Sequence, residues 1–558
     1  ILKSGGILVQ KQQQRSFSWL LLTAFIVCLL LPVPAWAAPA KNVILLMTDG
    51  TSSTHLTLAR WYKGAPLALD DILVGGLRTY SAESIITDSA PAATAFATGH
   101  KTNTKFLGIL PEKVTMPGVP AIAPADQFKP VATVLEGARL LGKSVGLVAT
   151  SQIQHASPAG FSSHTPFRDR YTLIAEQQVN GNIDVVFGGG LQYLLPKELG
   201  GVRTDGKNLA ETLKASGVPL LRNRDELLAF NGRRAWGLFA PDALAYDLDR
   251  KDFAPAEPSL AEMTRAAIGA LSKNEKGFFL FVEASKVDWA AHDNDPTGVV
   301  SDLLAYDEAV RAALEFARRD GQTLVMAFAD HGTGGMAIGR KEIYKIYDKL
   351  PFDNVLGPLK QIAYTGEGMG RLIGDNRSEF NIRVQMMQNF AVNDLTDEEV
   401  AAIQKAKLKR GLSHVIGPML SKRAGIGWIY TGHTGEDLFL YAYGPNKPAG
   451  LIQNTDIAKI TAQSLGFDLA ESSRKLFVEA GAAFATLGAS ARIDAGDPDS
   501  PVLIVEKGLR RATLPINGSQ LQTGKSVHAL PGVVVQVPKT GQVFVPQKAV
   551  DILKEAGW

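Results

Sequence analysis

The stretch FFLFVEASKVDWAAHDND, residues 278–295, places an apolar strand directly before a cluster of ionisable residues. The run of phenylalanine and valine predicts a buried strand, with Glu283 near its end. Asp288 and His292 follow four residues apart, so on a helix they share one face and can bind one metal ion together. Taken alone, this spacing is more typical of a solvated helix face.

Polar residues follow the other predicted strands in the same way. The strand at 42–47 runs into Asp49, the strand at 323–329 into Asp330 and His331, and the strand at 144–149 leads to His155 and Ser157; a fifth strand is predicted at 184–189. In an open parallel sheet the carboxyl ends of the strands meet at one edge. The sequence therefore predicts that these acids, imidazoles and hydroxyls converge there.

Strand patterns alternate with amphipathic helical patterns such as those at 130–142 and 301–321. This alternation is typical of an α/β fold, and we predict a three-layer α/β/α sandwich with a large, mostly parallel central sheet.

The regular alternation lapses in two parts of the chain. At 338–425 it gives way to a stretch rich in Lys and Arg, where Thr396 and Glu399 form a capping-box pattern, and we predict an inserted cap region. Beyond 500, a hairpin pattern and a short helix predict a small C-terminal α+β appendage, residues 500–558. The catalytic domain is then predicted at 38–499.

The first 37 residues have a distinct composition. They hold three cations and no acid, followed by an apolar run from Trp19 to Leu31 and small residues at Ala35 and Ala37. This order predicts a signal peptide, residues 1–37, and a secreted or periplasmic protein. A membrane anchor is the alternative, but the apolar run is shorter than the roughly 20 residues that span a bilayer. We therefore expect no stable membrane anchor after cleavage.

Charge and cysteine content bear on two kinds of function, nucleic-acid binding and metal binding. Without the three cations of the signal, 55 basic residues face 55 acidic ones, which does not favour a nucleic-acid-binding surface. Cys28 is the one cysteine and lies inside the predicted signal, so the mature chain has no thiolate ligand. A bound metal would need histidine, carboxylate or hydroxyl ligands.

Ser89 lies in ITDSAPAATAFATGHKT, residues 86–102, at the start of a helical pattern. The ordinary interpretation of a serine here is a helix N-cap. The predicted cluster of carboxylates suggests another, because such a cluster needs cations to offset its repulsion. A nearby cation and the helix dipole would both stabilise the alkoxide, which makes Ser89 a candidate nucleophile.

Six motifs together resemble the alkaline phosphatase family over residues 42–470. They are TDSAPAATAFATGHKT around Ser89, TDG at Asp49, QHASPAGFSSHTPFRDR at 154–170, E-x4-D-x3-H from Glu283, ADHGTGG at Asp330, and GHTGEDLFLYAYGP at His433.

The resemblance implies a metal-dependent phosphomonoester hydrolase with two Zn²⁺ and one Mg²⁺. One zinc would bind Asp288, His292 and His433, the second Asp49, Asp330 and His331, and the magnesium Asp49, Ser157 and Glu283. Ser89 would attack to give a phosphoserine intermediate, which a zinc-bound hydroxide hydrolyses, and Arg168 would bind the phosphoryl oxygens.

Two positions depart from the common family pattern. The family has Asp or His at 155 and commonly Lys or His at 289, whereas this chain pairs His155 with Trp289. A tryptophan can neither bind a metal nor carry a charge. We place both residues beside the magnesium or the phosphate, and leave open whether His155 reaches the metal or a water.

Substrate class needs its own argument, because the wider superfamily includes sulfatases and phosphodiesterases. Sulfatase processing requires arginine four positions after the modified residue, where this chain has Ala93. Superfamily diesterases mostly use threonine, so Ser89 and Arg168 favour small-molecule phosphate monoesters. A phosphodiesterase, or a non-catalytic exported protein that binds metal or phosphate, remains the alternative. Dimerisation is usual in the family, so a homodimer is one assembly open to this chain.

Overall fold

The computed structural model describes residues 39–407 and 412–558. The signal peptide predicted at 1–37 lies outside these residues. Nowhere in the two described ranges is there a helix with the length and apolar character needed to cross a membrane.

A ten-stranded sheet forms the centre of the fold. Its strands in spatial order are Gly450–Gln453, Leu73–Arg78, Leu438–Tyr443, Thr323–Ala329, Asn42–Thr48, Phe278–Ala284, Ser144–Gln152, Val185–Gly189, Ala235–Leu238 and Leu220–Leu221. Neighbouring strands are parallel except where Leu438–Tyr443 pairs with its two neighbours. The five strands predicted from the sequence are all present, and the mostly parallel sheet is confirmed.

Helices cover both faces of the sheet. Ile44 and Leu46 point to one face, while Val43, Leu45 and Met47 point to the other. The first face packs against helices Ser53–Lys63, Leu260–Leu271 and Pro296–Asp320, and the second against Ser89–Thr98, Val134–Leu140, Tyr171–Asn180, Leu209–Ala215 and Asn454–Leu465. The three-layer α/β/α sandwich is therefore confirmed.

The strand register brings the predicted polar residues to one edge. Met47 lies opposite Glu283, and Thr48 lies opposite Ala329. Asp49 and Asp330 each follow directly after these strands, so they lie level with each other, two residues beyond Glu283 at the same edge of the sheet. Strand Ser144–Gln152 adds to this edge, since Ala149 also pairs with Glu283.

Residues 352–407 and 412–423 form a helical region whose apolar core also includes Leu58 and Val300 of the sandwich helices. Its helices are Phe352–Lys360, Gly366–Ile373, Glu379–Phe390, Asp397–Lys405 and Ser413–Arg423. Thr396 and Glu399 make the expected capping box at the start of Asp397–Lys405. Whether 338–425 acts as a cap remains a prediction.

The C-terminal region is rich in sheet. A five-stranded antiparallel sheet consists of Ser490–Asp494, Val502–Lys507, Arg510–Pro515, Gln520–Thr523 and Ser526–Ala529. Val535–Gln536 pairs with Val543–Val545, as the predicted hairpin requires, and helix Gln547–Glu555 follows. The small α+β appendage is thus confirmed. It contacts the sandwich through Asn517, whose Oδ1 accepts a hydrogen bond from Gln177 Nε2 at 2.9 Å.

Candidate active site

Ser89 is the first residue of helix Ser89–Thr98 and is 3% exposed. The N-cap residue is Asp88, whose side chain makes no capping bond and instead accepts a hydrogen bond from Arg168 Nη1. The Ser89 hydroxyl lies 3.3 Å from His331 Nε2. The N-cap interpretation of Ser89 is therefore wrong, and its oxygen lies at the positive end of the helix dipole.

His331 presents one ring nitrogen to several oxygens. Its Nδ1 lies 3.3 Å from the carbonyl oxygen of Gly332, which can only accept, so Nδ1 carries the proton. Its Nε2 lies 3.2 Å from Asp330 Oδ2 and 3.5 Å from Asp49 Oδ1, besides Ser89 Oγ. Burial, and then the neighbouring imidazole of His433, lower the pKa of His331 well below its usual value, which keeps the ring neutral.

His292 and His433 face each other beside Asp288. The Nδ1 of His292 contacts the Thr431 carbonyl at 2.5 Å, and the Nδ1 of His433 contacts the Thr87 carbonyl at 3.0 Å. Both Nε2 atoms, 3.1 Å apart, therefore point lone pairs at each other when the rings are neutral. Asp288 Oδ2 lies 3.3 Å from the first Nε2 and Asp288 Oδ1 3.8 Å from the second. A cation between these atoms would replace repulsion by attraction.

A further group of potential ligands is formed by Asp49, Glu283 and His155, whose ligand atoms lie within 4.8 Å of one another. Ser157 lies two residues beyond His155, on the short helix Ala156–Gly160. The edge of Trp289 meets the ring of His155, with centroids 5.8 Å apart. The structure thus brings His155 to the predicted magnesium ligands, and Trp289 packs against it.

The carboxylates of the cluster leave buried oxygens without hydrogen bonds. Within residues 39–407 and 412–558, no hydrogen-bond partner reaches either carboxylate oxygen of Asp49, Oδ2 of Asp330, Oε1 of Glu283 or the hydroxyl of Ser157. Burial raises the pKa of Asp49 and of Asp330 well above the usual value, and neighbouring carboxylates add to both shifts. Such groups are costly unless cations neutralise them, so the donor set fits divalent metals.

Arg168 connects the serine side of the site to His155. Its Nη1 donates to Asp88 Oδ1, and its Nη2 lies 3.1 Å from His155 Nε2. The guanidinium thereby lies next to the residue that precedes Ser89. This position suits a fork that binds two oxygens of one phosphoryl group.

Sequence reasoning missed two residues that hold the ligands in place. Thr333 Oγ1 donates to Asp288 Oδ1 at 2.6 Å, and the amide of Gly50 donates to Asp330 Oδ1 at 3.1 Å. Both lie inside motifs that had been singled out for their acids and histidines. Their roles depend on contacts between strands, which a single sequence does not show.

Comparison with known proteins agrees with this geometry. The family model described as alkaline phosphatase matches residues 40–467. Alkaline phosphatase 3 of Bacillus subtilis (strain 168) is 36% identical over 451 residues, which cover 77% of this chain and 90% of that protein. The crystal structure of Thermus thermophilus alkaline phosphatase matches with a TM-score of 0.68 and 28% identity, covering 78% of this chain and 93% of the other.

The cold-active alkaline phosphatase of a psychrophilic Shewanella sp. matches with a TM-score of 0.65 and 26% identity, over 76% of this chain and 99% of the other. The fold and site define a hydrolase with a candidate metal-binding cluster. The chain belongs to the alkaline phosphatase family. It is an enzyme, a phosphoric monoester hydrolase, and the C-terminal appendage lies beyond the matched residues.

Proposed function

We propose that this chain hydrolyses small phosphate monoesters in two steps through a phosphoserine at Ser89. In the first step Ser89 Oγ gives up its proton and bonds to phosphorus, while the bond from phosphorus to the ester oxygen breaks and the alcohol leaves. In the second step a water oxygen bonds to phosphorus while the bond from phosphorus to Ser89 Oγ breaks, and a proton from the water returns to Ser89 as inorganic phosphate leaves. The observation that carries the proposal is the position of Ser89 Oγ, 3.3 Å from His331 Nε2 and beside buried carboxylates.

Three ligand groups support a metal-dependent reaction. We assign Asp288, His292 and His433 to one zinc, Asp49, Asp330 and His331 to a second, and Asp49, Ser157 and Glu283 to a magnesium, with His155 beside the last group. Ligand atoms lie within 4.8 Å of one another in three sets that support these assignments: Asp49, Asp330 and His331; Asp288, His331 and His433; and Asp49, His155 and Glu283. When bound, these cations would supply Lewis-acid stabilisation of the attacking and leaving oxygens and acidify a water. Oxygen donors around Glu283 suit magnesium, while the imidazoles of the other two groups suit zinc.

Arg168 is assigned to bind substrate. Its guanidinium would donate to two phosphoryl oxygens and hold the phosphorus in line with Ser89 Oγ. Asp88 keeps Arg168 charged: burial lowers the pKa of Arg168, but the Asp88 carboxylate more than offsets this and raises it.

Replacing Ser89 with alanine tests the assignment of the nucleophile. We expect turnover of p-nitrophenyl phosphate to fall by at least about a thousandfold, because a serine that forms the covalent bond cannot be replaced by a methyl group. Metal content, measured by elemental analysis, should be unchanged. Activity close to that of the unaltered enzyme would contradict the proposal and favour a protein that only binds metal or phosphate.

Substrate class is tested by comparing p-nitrophenyl phosphate with its bis ester. A monoesterase should have the higher kcat/KM for the monoester, since Arg168 and the cations face a dianion. Preference for the bis ester would favour a superfamily phosphodiesterase.

We further propose secretion or periplasmic location after removal of residues 1–37, and a homodimer as the assembly. The basic and apolar composition of that segment supports the first proposal. Cell fractionation with mass spectrometry of the mature N-terminus tests the location, and analytical ultracentrifugation tests the assembly.

A further inference from the structure

Exposure to solvent differs strongly among the residues of the site. Asp49, Asp330 and His331 have fully buried side chains, and Ser89 is 3% exposed. The side chains of His433 and His292 are 17% and 28% exposed. The rings of His331 and His433 stack with centroids 3.6 Å apart. The site therefore reaches solvent at His433 and His292, and also at Arg168 and Asp88, whose side chains are 14% and 23% exposed. In an in-line displacement the leaving group departs opposite the attacking oxygen, and we take the side of His292 and His433, ligands assigned to the other zinc, as the side it occupies.

Two chain segments border the opening at His433 and His292. Ile85 and Ile86 come directly before Thr87, whose carbonyl contacts His433 Nδ1. Ile429 and Tyr430 come directly before Thr431, whose carbonyl contacts His292 Nδ1. We call these four residues, Ile85, Ile86, Ile429 and Tyr430, the apolar rim.

The apolar rim is exposed despite its composition. Ile85 is 68% exposed, Ile86 44%, Ile429 78% and Tyr430 43%. Single exposed isoleucines are ordinary, but these four large apolar side chains lie in the two segments that contact His433 and His292, where they offer apolar surface to a ligand. Each segment is held at its base: carbon atoms of Ile85 and Ile86 lie within 3.4 Å of the Cβ position of Gly435, and Ile429 packs against Gly335.

Charge near the opening gives an anionic group no net attraction. Arg340, Lys341 and Glu342 line a cavity with Ile429, and Arg340 is paired with Glu342. Glu436 and Asp437 follow His433 closely in the chain and are both exposed. Arg168 lies on the serine side and is paired with Asp88. A leaving group with its own negative charge would therefore meet carboxylates and apolar surface beyond the metal cluster.

We propose that the apolar rim binds the leaving group of the ester, and that the preferred substrates are phosphate monoesters of apolar alkyl or aryl alcohols. Esters whose alcohol carries a further anionic group are the disfavoured class. This inference rests on the proposed monoesterase function and specifies its substrate. A leaving alcohol long enough to cover the rim with several methylene groups should have a kcat/KM about tenfold to a hundredfold higher than that of a short alcohol.

The test uses alkyl phosphates, because their alcohols have similar acidity and differ mainly in apolar length. We expect kcat/KM to rise from ethyl through butyl to octyl phosphate. The phosphate ester of an ω-hydroxy carboxylic acid as long as octanol should be hydrolysed less efficiently than octyl phosphate. Equal kcat/KM along the alkyl series would overturn the inference.

Substitutions connect the preference to the rim. In the double variant Ile86→Ser with Ile429→Ser, the octyl-to-ethyl ratio of kcat/KM should fall at least about threefold. Leu509→Ser is the matched control, since Leu509 is also an exposed aliphatic residue but lies in the C-terminal appendage. Ile429→Lys should raise kcat/KM for the carboxylate ester relative to octyl phosphate. An unchanged octyl-to-ethyl ratio in the double variant would overturn the inference.

Two further outcomes distinguish an error in the proposed function from an error in the role given to the apolar rim. If no monoester, ethyl phosphate included, is hydrolysed, the proposed function itself is wrong. If the double variant converts a dimer to a monomer in ultracentrifugation while the chain-length preference persists, the rim is a subunit contact and the inference is overturned.

Discussion

At the scale of single residues, Gly50 is closely fitted to the ligand cluster. Its φ is +67°, and a Cβ there would lie 2.5 Å from Asp288 Oδ1 and 2.7 Å from Asp288 Cα. The positive φ would strain any residue with a side chain, and Asp288 occupies the space that a Cβ would need. The same glycine donates its amide to Asp330, so it contacts ligands of both proposed zinc sites.

We predict that Gly50→Ala lowers zinc affinity by at least about tenfold and lowers kcat with it, because Asp288 must move. Competition with a chromogenic chelator measures the affinity. Gly64→Ala is the matched control: its φ is +69°, but nothing lies within 4 Å of its Cβ position. It should lose about 1 kcal/mol of stability and keep its zinc affinity. Equal zinc affinity in the two variants would contradict the role given to Gly50.

Much of the candidate site could be predicted from single residues, for a physical reason. Parallel strands that end in acids must bring those acids to one edge, so Asp49, Glu283 and Asp330 were predicted together. The hydrogen bond from Thr333 to Asp288 and the exposed isoleucines of the apolar rim could not be predicted, because they depend on where loops fold in space.

At the scale of elements, the helix that carries Ser89 is fixed by close packing on helix Ala156–Gly160. A Cβ added at Gly160 would lie 2.7 Å from the Cβ of Ala93 and 3.1 Å from its carbonyl carbon. All residues of Ser89–Thr98 are buried, so the helix has no free side toward which to relax.

We predict that Gly160→Ala displaces Ser89 and lowers kcat by about tenfold or more, with a smaller change in KM. Gly269→Ala is the control, since that glycine lies within helix Leu260–Leu271 with nothing within 4 Å of its Cβ position. It should stabilise the protein by up to about 1 kcal/mol and leave kcat unchanged. Steady-state kinetics and thermal unfolding distinguish the two variants, and an unaltered kcat in Gly160→Ala would refute the packing argument.

Element prediction succeeded where the sequence pattern itself stabilises the element. Strand Asn42–Thr48 is continuously apolar and was predicted, whereas Leu220–Leu221 has two residues and forms only because a neighbouring strand pairs with it. Helices Phe352–Lys360 and Ser413–Arg423 each contain a proline, which weakens the helical signal. Packing in their common apolar core determines them instead.

At the scale of the whole molecule, the fold holds a buried cluster of acids that metal ions would stabilise. Burial raises the pKa of Asp49, Asp330 and Glu283, and neighbouring carboxylates add to the shifts of Asp49 and Asp330, so the ionised cluster opposes folding when cations are absent. Ions that bind only the folded state shift unfolding to higher temperature.

We predict that exhaustive dialysis against EDTA abolishes activity and lowers the Tm by several degrees, and that added zinc and magnesium restore both. Differential scanning calorimetry of treated and reconstituted enzyme measures the shift. In the double variant Asp49→Asn with Asp330→Asn, EDTA should lower the Tm by less, because neutral amides do not repel one another as carboxylates do. An identical Tm before and after treatment would argue against bound cations in the folded state.

A buried pair of ionisable residues, His164 and Glu136, lies beside Phe477, where the C-terminal part of the chain packs on the sandwich. His164 Nδ1 donates to the Gly108 carbonyl at 2.8 Å, and its Nε2 lies 3.1 Å from Glu136 Oε1. The ring of Phe477 meets His164 edge-on at 4.6 Å between centroids. Burial lowers the pKa of His164, but the charge and hydrogen bond of Glu136 outweigh it, so the net shift is upward from 6.5.

The sign of the pH dependence follows from this shift. A raised histidine pKa stabilises the fold fully below about pH 6.5, and the contribution is lost as the pH rises through the raised value. Glu136 has the opposite shift: burial raises the pKa of Glu136, but the charge of His164 outweighs burial and the net pKa is lowered. The contribution of Glu136 to stability is therefore lost only in acid, below about pH 4.5.

We predict that the Tm difference between the unaltered enzyme and His164→Gln is largest at about pH 5 to 6 and shrinks toward pH 9. His528→Gln is the control, since its ring contacts the Thr523 hydroxyl and no charge pair is removed. A Tm difference for His164→Gln that stays constant across this range would mean that the ring contributes by packing on Phe477 and not by its charge.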